Sequence, residues 1–119
     1  MKQFVVLCLI LCGPALVVSQ PIKIWNKIFG GNQGDYCNEM GIYEDSLIVA
    51  VGKSNSPNLV NKGLDDAAIC VFTTGGVLRH IKTFGSPSND FLNSFANLPG
   101  GNLITVGTIN GKGGDIANI

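Results

Sequence analysis

Apolar residues arrive in short, dense runs separated by glycine and small polar residues, and this spacing dictates the elements. No stretch of the last hundred residues repeats its apolar positions every third and fourth residue, as an amphipathic helix would; β-branched residues and glycine are dense instead. The pattern predicts four strands, over residues 37–43, 46–52, 67–72 and 77–84. Glu44 and Asp45 form a tight turn between the first two. Thr73, Thr74, Gly75 and Gly76 turn the third strand into the fourth, and residues 53–66 form a long loop. The runs Leu47-Ile48-Val49-Ala50-Val51 and Ala68-Ile69-Cys70-Val71-Phe72 are apolar at every position. A sheet with one wet face alternates apolar and polar residues, so continuous runs predict strands covered on both faces. A small four-stranded antiparallel sheet buried on both faces describes one blade of a β-propeller, held between two neighbours.

The pattern also repeats. Lys27-Ile28-Phe29-Gly30-Gly31 returns as Lys82-Thr83-Phe84-Gly85-Ser86, 55 residues on. The same offset pairs Asp35 with Asp90, Tyr36 with Phe91 and Asn38 with Asn93. It pairs Ile48-Val49-Ala50-Val51-Gly52 with Leu103-Ile104-Thr105-Val106-Gly107, and Asn55 with Asn110. Beyond Asn55 the copies differ in length, and Asp66 matches Asp115 at an offset of 49. The two units span about residues 27–81 and 82–119.

The first unit reads Trp25-Asn26-Lys27-Ile28-Phe29-Gly30-Gly31, then Asp35-Tyr36. This resembles the tandem propeller repeat of secreted bacterial proteins, written around W-x-K-x-F-G-G…D-Y. The second copy departs from it: His80 stands for the Trp, Ser86 for the second Gly and Phe91 for the Tyr. The resemblance covers roughly residues 22–119 and implies a binding or display module rather than a catalyst. The expected fold is all-β: antiparallel four-stranded propeller blades, one complete, with the last strand of a preceding blade and about three strands of the next. Propellers close with roughly four to eight blades. About two blades form an incomplete propeller, and residues 115–119 read as the inside of a third strand. A piece of a longer repeat protein is therefore expected, with self-association of several chains into a ring as the rival.

Residues 1–19 stand apart. Lys2 precedes nine uninterrupted apolar residues, 4–12; Gly13-Pro14 then breaks the run, and Val17 and Ser19 supply a small-residue cleavage site. These are the marks of a secretory signal peptide, and the 15-residue stretch 4–18 falls short of the roughly 20 that span a bilayer. Cleavage after Ser19 leaves Gln20 to Ile119, a secreted domain of 100 residues with net charge −1 and no membrane segment. The whole chain has 8 basic and 8 acidic residues among 119, so the basic excess that neutralises phosphates is absent and no nucleic-acid partner is expected. Cys8 and Cys12 leave with the signal. Cys37 and Cys70 remain, on the first and third strands of one sheet. Strands two apart lie about 9.6 Å apart, beyond the roughly 7 Å that a disulfide tolerates between Cα atoms, so both are expected as free, buried thiols.

The chemistry-bearing residues read mostly as structure. Gly30-Gly31-Asn32-Gln33-Gly34 is glycine-rich but leads to a strand, whereas a phosphate-cradling loop opens a helix. Gly30 and Gly85 are expected to adopt positive φ where the chain passes between blades. Asp35 and Asp90 could ligate calcium, but each loop offers one carboxylate where calcium takes six to eight oxygens, so both are expected to bond the backbone of their own turns. Asp65, Asp66 and Asp115 are expected to fix turns at strand entries. His80, the one histidine, matches Trp25 and is expected to pack between blades, with Arg79 solvated on the other face. No catalytic, cofactor or metal site is assigned. The expected function is binding or scaffolding toward a protein or carbohydrate; the alternative is part of a propeller hydrolase, such as a glycoside-cleaving enzyme, with carboxylates ringing the channel.

Overall fold

The computed structural model describes residues 26–59 and 63–116. The fold is all-β. Strands β1 (Asp35–Tyr43), β2 (Leu47–Ser54), β3 (Asp66–Thr73) and β4 (Leu78–Phe84) form one antiparallel meander in the order β1-β2-β3-β4. Strands β5 (Asp90–Leu98) and β6 (Asn102–Ile109) form a separate antiparallel hairpin. Two single-turn 3-10 helices, Pro57–Leu59 and Gly114–Ile116, follow β2 and β6. The predicted strands and their order are those observed, with ends shifted by one or two residues. The signal segment, Trp25 and residues 117–119 lie outside the described residues.

The sequence repeat is a structural repeat. Strand β5 begins and ends 55 residues after β1, and β6 does so after β2. Even the irregularity is copied: the register skips between Cys37 and Glu39 in one pair and between Leu92 and Ser94 in the other. Opposite each bulge sits a glycine, Gly52 facing Cys37 and Gly107 facing Leu92. A Cβ on Gly52 would collide with the Tyr36 carbonyl oxygen, and one on Gly107 with that of Phe91. The bulge draws the strands so close that no side chain fits.

The tight turns differ for a covalent reason. In the first, Glu44 and Asp45 take left-handed φ of 48° and 54°. In the second, the position matching Glu44 is Pro99, whose ring holds φ negative, and the left-handed residues move one place on to Gly100 and Gly101.

The hairpin lies flat on one face of the four-stranded sheet, with β5 over β1, β2 and β3. Val49 and Val51 are 1% exposed, and with Ala67 they meet Leu92 from the hairpin, 4% exposed. Tyr43, Ile69, Val71, Phe84, Phe95 and Leu103 pack around them. Full burial of a Val or Leu side chain is worth about 1.5–3 kcal/mol, so this layer is the main force holding the two sheets together. Polar bonds fix its register. The Asn38 side chain, at the bulge, donates to the Leu92 carbonyl at 2.6 Å, and the Glu39 carboxylate accepts the Phe95 N–H at 2.8 Å. Bonds from the Ser94 side chain and from the Phe95 N–H hold the Glu39 carboxyl below the ordinary carboxylate range. The Asn97 amide donates to the Ile42 carbonyl, and the Tyr43 hydroxyl to the Gly101 carbonyl.

Four expectations are corrected. Cys70 is a free, buried thiol pushed up to about 11 by burial, but Cys37 is free and exposed, because its side chain lies on the face opposite the hairpin. His80 does not pack between sheets: it is exposed on β4, the outermost strand, whose first five residues are all exposed. Residues 26–30 are irregular rather than a strand, since among the described residues no strand lies beside them to supply hydrogen bonds. Asp115 and Ile116 sit in a 3-10 turn, not a strand. Gly113 and Gly114, with φ of 96° and 64°, turn the chain there, and the Asp115 N–H is tied to the Gly85 carbonyl.

Candidate functional site

The polar residues singled out by the sequence gather where the longer loops are, at the end of the sheets away from the tight turns. Each unit enters through the same device. An aromatic ends the incoming segment, a glycine follows, and a loop leads to an aspartate at the start of the unit's first strand. The Asp35 carboxylate reaches back to accept the Gly31 N–H at 2.6 Å. Asp90 does the same with the Ser86 N–H. These carboxylates hold their own turns, as expected of aspartates at such positions.

Crowding explains both glycines before them, and Gly30 also has the expected positive φ, 158°. A Cβ on Gly30 would lie 2.8 Å from Asp35 Oδ2, and one on Gly85 would lie 2.6 Å from Asp90 Oδ2 and 3.0 Å from Asp66 Oδ1. Gly85 does not have positive φ, so the expectation of a left-handed residue there is wrong; the returning carboxylate leaves no room for a side chain.

A serine hydroxyl completes each device, and the two units supply it from different strands of chain. In the first, Ser56 Oγ donates to Asp35 at 3.0 Å and accepts the Gln33 N–H at 3.0 Å. In the second, Ser86 Oγ donates to Asp90 at 2.9 Å and accepts the Ser88 N–H at 3.2 Å. Gln33 and Ser88 are equivalent, so the hydroxyl occupies the same place in both units. Ser56 matches Gly111, and Ser86 matches Gly31. A Cβ on Gly31 would collide with the Ser56 Cβ, and one on Gly111 would lie 2.7 Å from Ser86 Oγ. The site holds one serine and one glycine, in either order.

Asp90 is fully buried and also accepts the Asn110 N–H at 2.9 Å, so it takes bonds from two backbone amides and one hydroxyl. Around it, the Asp90 N–H donates to the Asp65 carbonyl at 2.7 Å, and Asp65 and Asn89 form an isolated parallel bridge. Asp65 is paired through its side chain with Lys53 at 2.6 Å, and Lys53 lies over the Tyr36 ring, 4.8 Å from its centre. Asp66, fully buried at the start of β3, sits against Gly85, and Asp115 joins the same glycine through the N–H of Gly85 at 3.4 Å. Asp65, Asp66, Asp90 and Asp115 thus all touch the crossing from the first unit to the second. Among the described residues no three of His, Cys, Asp and Glu come together as metal ligands. Among them, too, no helix is long and apolar enough to cross a membrane.

What remains exposed at this end is rich in side-chain amides: Asn32, Gln33, Asn58, Asn89 and Asn110 all face solvent. A second surface lies on the sheet face turned away from the hairpin. It is an apolar groove of about 290 Å³ floored by Ala50, Ala68, Cys70 and Phe72, where Phe29 packs edge-on against Phe72 with ring centres 5.7 Å apart. Sequence reasoning missed this groove. Its signal is the continuous apolar character of β2 and β3; that pattern predicts two covered faces, but the hairpin covers one and the other is this groove, beside which Cys37 and Met40 are exposed.

No family model matches this chain, and neither a curated protein nor a solved structure does.

Proposed function

We propose that this chain is a secreted β-propeller repeat module that acts in binding or scaffolding toward a protein or carbohydrate. The observation that carries the reading is the repeated loop end. Two equivalent antiparallel units stack face to face, and each spends its aspartate on its own turn while presenting amides to solvent. Exposed Asn and Gln side chains offer both donors and acceptors, the chemistry that meets sugar hydroxyls or peptide groups. Asp35 and Asp90 are bonded to their own turns instead of facing each other across a cleft, which favours binding over the glycoside-cleaving alternative with its pair of converging carboxylates. The signal-like segment 1–19 supports export, and the balanced charge supports a partner other than nucleic acid.

A glycan and peptide array, run beside a panel of chromogenic glycosides, tests this. Binding without turnover is the expected result. Glycoside turnover that is lost in Asp35→Asn would overturn it in favour of the hydrolase.

A further inference from the structure

The 55-residue equivalence assigns a role to two apolar surfaces that are open among the described residues. Within the chain, an apolar face-to-face contact joins the units. The first unit contributes the face of Glu39, Val49 and Val51, and the second contributes the face of Leu92, Phe95 and Leu103. The first two strands of each unit carry the counterpart of both faces, while the share contributed by β3 through Ala67, Ile69 and Val71 has no equivalent strand among the described residues of the second. In the second, the residues matching Val49 and Val51 are Ile104 and Val106, and they are 54% and 61% exposed. In the first, the residues matching Leu92, Phe95 and Leu103 are Cys37, Met40 and Ile48; Cys37 is exposed, and Met40 is 65% exposed. The second surface is the groove over β2 and β3. On their first two strands, both open surfaces are therefore halves of a contact already present inside the molecule.

We infer that these halves join two copies of this chain head to tail, the Ile104–Val106 face of one copy covering the Cys37–Met40–Ile48 face of the next. The occupant is a second copy because the chain carries both complementary halves and because the contact continues an interface it already makes. The polar register follows by the same equivalence. Asn93 matches Asn38, whose amide donates to the Leu92 carbonyl, so Asn93 donates to the carbonyl of Cys37 of the partner subunit. Phe29, which rests on Phe72 in the groove, moves aside or forms the rim. Such a contact is heterologous: the two surfaces differ, so it propagates until rotation closes a ring or a filament grows. The inference needs only the equivalence of the units and stands apart from the identity of any ligand.

The test uses the chain expressed from its full sequence and purified as the producing cell leaves it. Sedimentation velocity across a concentration series is run on the wild type, on Val106→Glu and on Met40→Glu. Both substitutions fall on exposed residues, and circular dichroism checks that the β signature is kept. The wild type is expected to associate, and each variant to weaken association at least tenfold. An equimolar mixture of the two variants is expected to give a discrete one-to-one dimer and nothing larger, because each variant keeps the half that the other has lost. Association that survives either variant, a wild type that stays monomeric, or a variant mixture that forms no dimer would overturn the proposal. Asn93→Ala, which leaves both apolar faces intact, is expected to weaken the wild-type association about threefold to tenfold, and an unchanged constant removes the proposed register.

Discussion

The two units of this chain hold one device in two chemical spellings. In the first, Gly31 stands opposite Ser56; in the second, Ser86 stands opposite Gly111, and the hydroxyl bonds the same aspartate and the same amide in both. What is preserved is a hydroxyl at a point in space, not a residue at a position in sequence. The surroundings also separate the units. Val49 and Val51 are sealed by the hairpin, while their counterparts Ile104 and Val106 face solvent, so identical strand geometry carries different burial. A residue's contribution in a repeat depends on whether its neighbour is present.

The comparison can be broken most forcefully at the contact between the units. Leu92→Ala empties the centre of the inter-sheet layer and is expected to cost about 3 kcal/mol by urea unfolding, while Cys37→Ala at the equivalent, exposed position costs less than about 0.5 kcal/mol. Equal losses would mean that the hairpin does not dock as described. The serine exchange comes next. Gly31→Ser forces two side chains into room for one and is expected to cost about 2 kcal/mol. Adding Ser56→Gly gives the first unit the serine and glycine of the second, leaves only the end of the Asn58 side chain to move aside, and is expected to restore most of the lost stability, a coupling read directly from a double-mutant cycle.

Acid sharpens the comparison further. Glu39 is the charged member of the inter-unit register, and its carboxyl is held below its ordinary 4.5 by bonds from Ser94 and Phe95. A lowered folded value means that its contribution is complete above the unfolded value and is lost as pH falls through the folded one. Protection of the Phe95 amide, corrected for the intrinsic pH dependence of exchange, is expected to fall below about pH 4.5. In Glu39→Gln that pH dependence is expected to vanish. The smallest effect lies in the turns. Glu44 has a left-handed φ of 48°, a conformation that costs a non-glycine residue roughly 1–2 kcal/mol. Glu44→Gly is expected to raise stability by up to about 1 kcal/mol, whereas Gly100→Ala, at φ 78°, lowers it by a similar amount.

Much of this fold was legible from residue order. Continuous apolar runs and glycine-bounded turns place four strands in the right succession, and the constant offset places β5 and β6. The turn role of Asp35 and Asp90 could also be read, since a lone acidic residue in a short loop has its own backbone as nearest partner. What escaped was whatever depends on neighbours. His80 was assigned by analogy with Trp25 to a packed position, yet β4 is an edge strand and its side chains face water. Cys37 was expected inside because strands of this kind are buried, but its face is the open one. Gly85 was given a conformational reason when the reason is the carboxylate folded beneath it, a contact made across the turn and invisible along it.

The serine exchange also restricts how such repeats can diverge after duplication. Passing from one spelling to the other through two serines is the costly route, because the two side chains crowd one another. The open path runs through two glycines, which forfeits a hydroxyl but keeps the chain's course. Ancestors on that path would have been slightly loose rather than misfolded, and a newly copied unit could drift across without losing its shape.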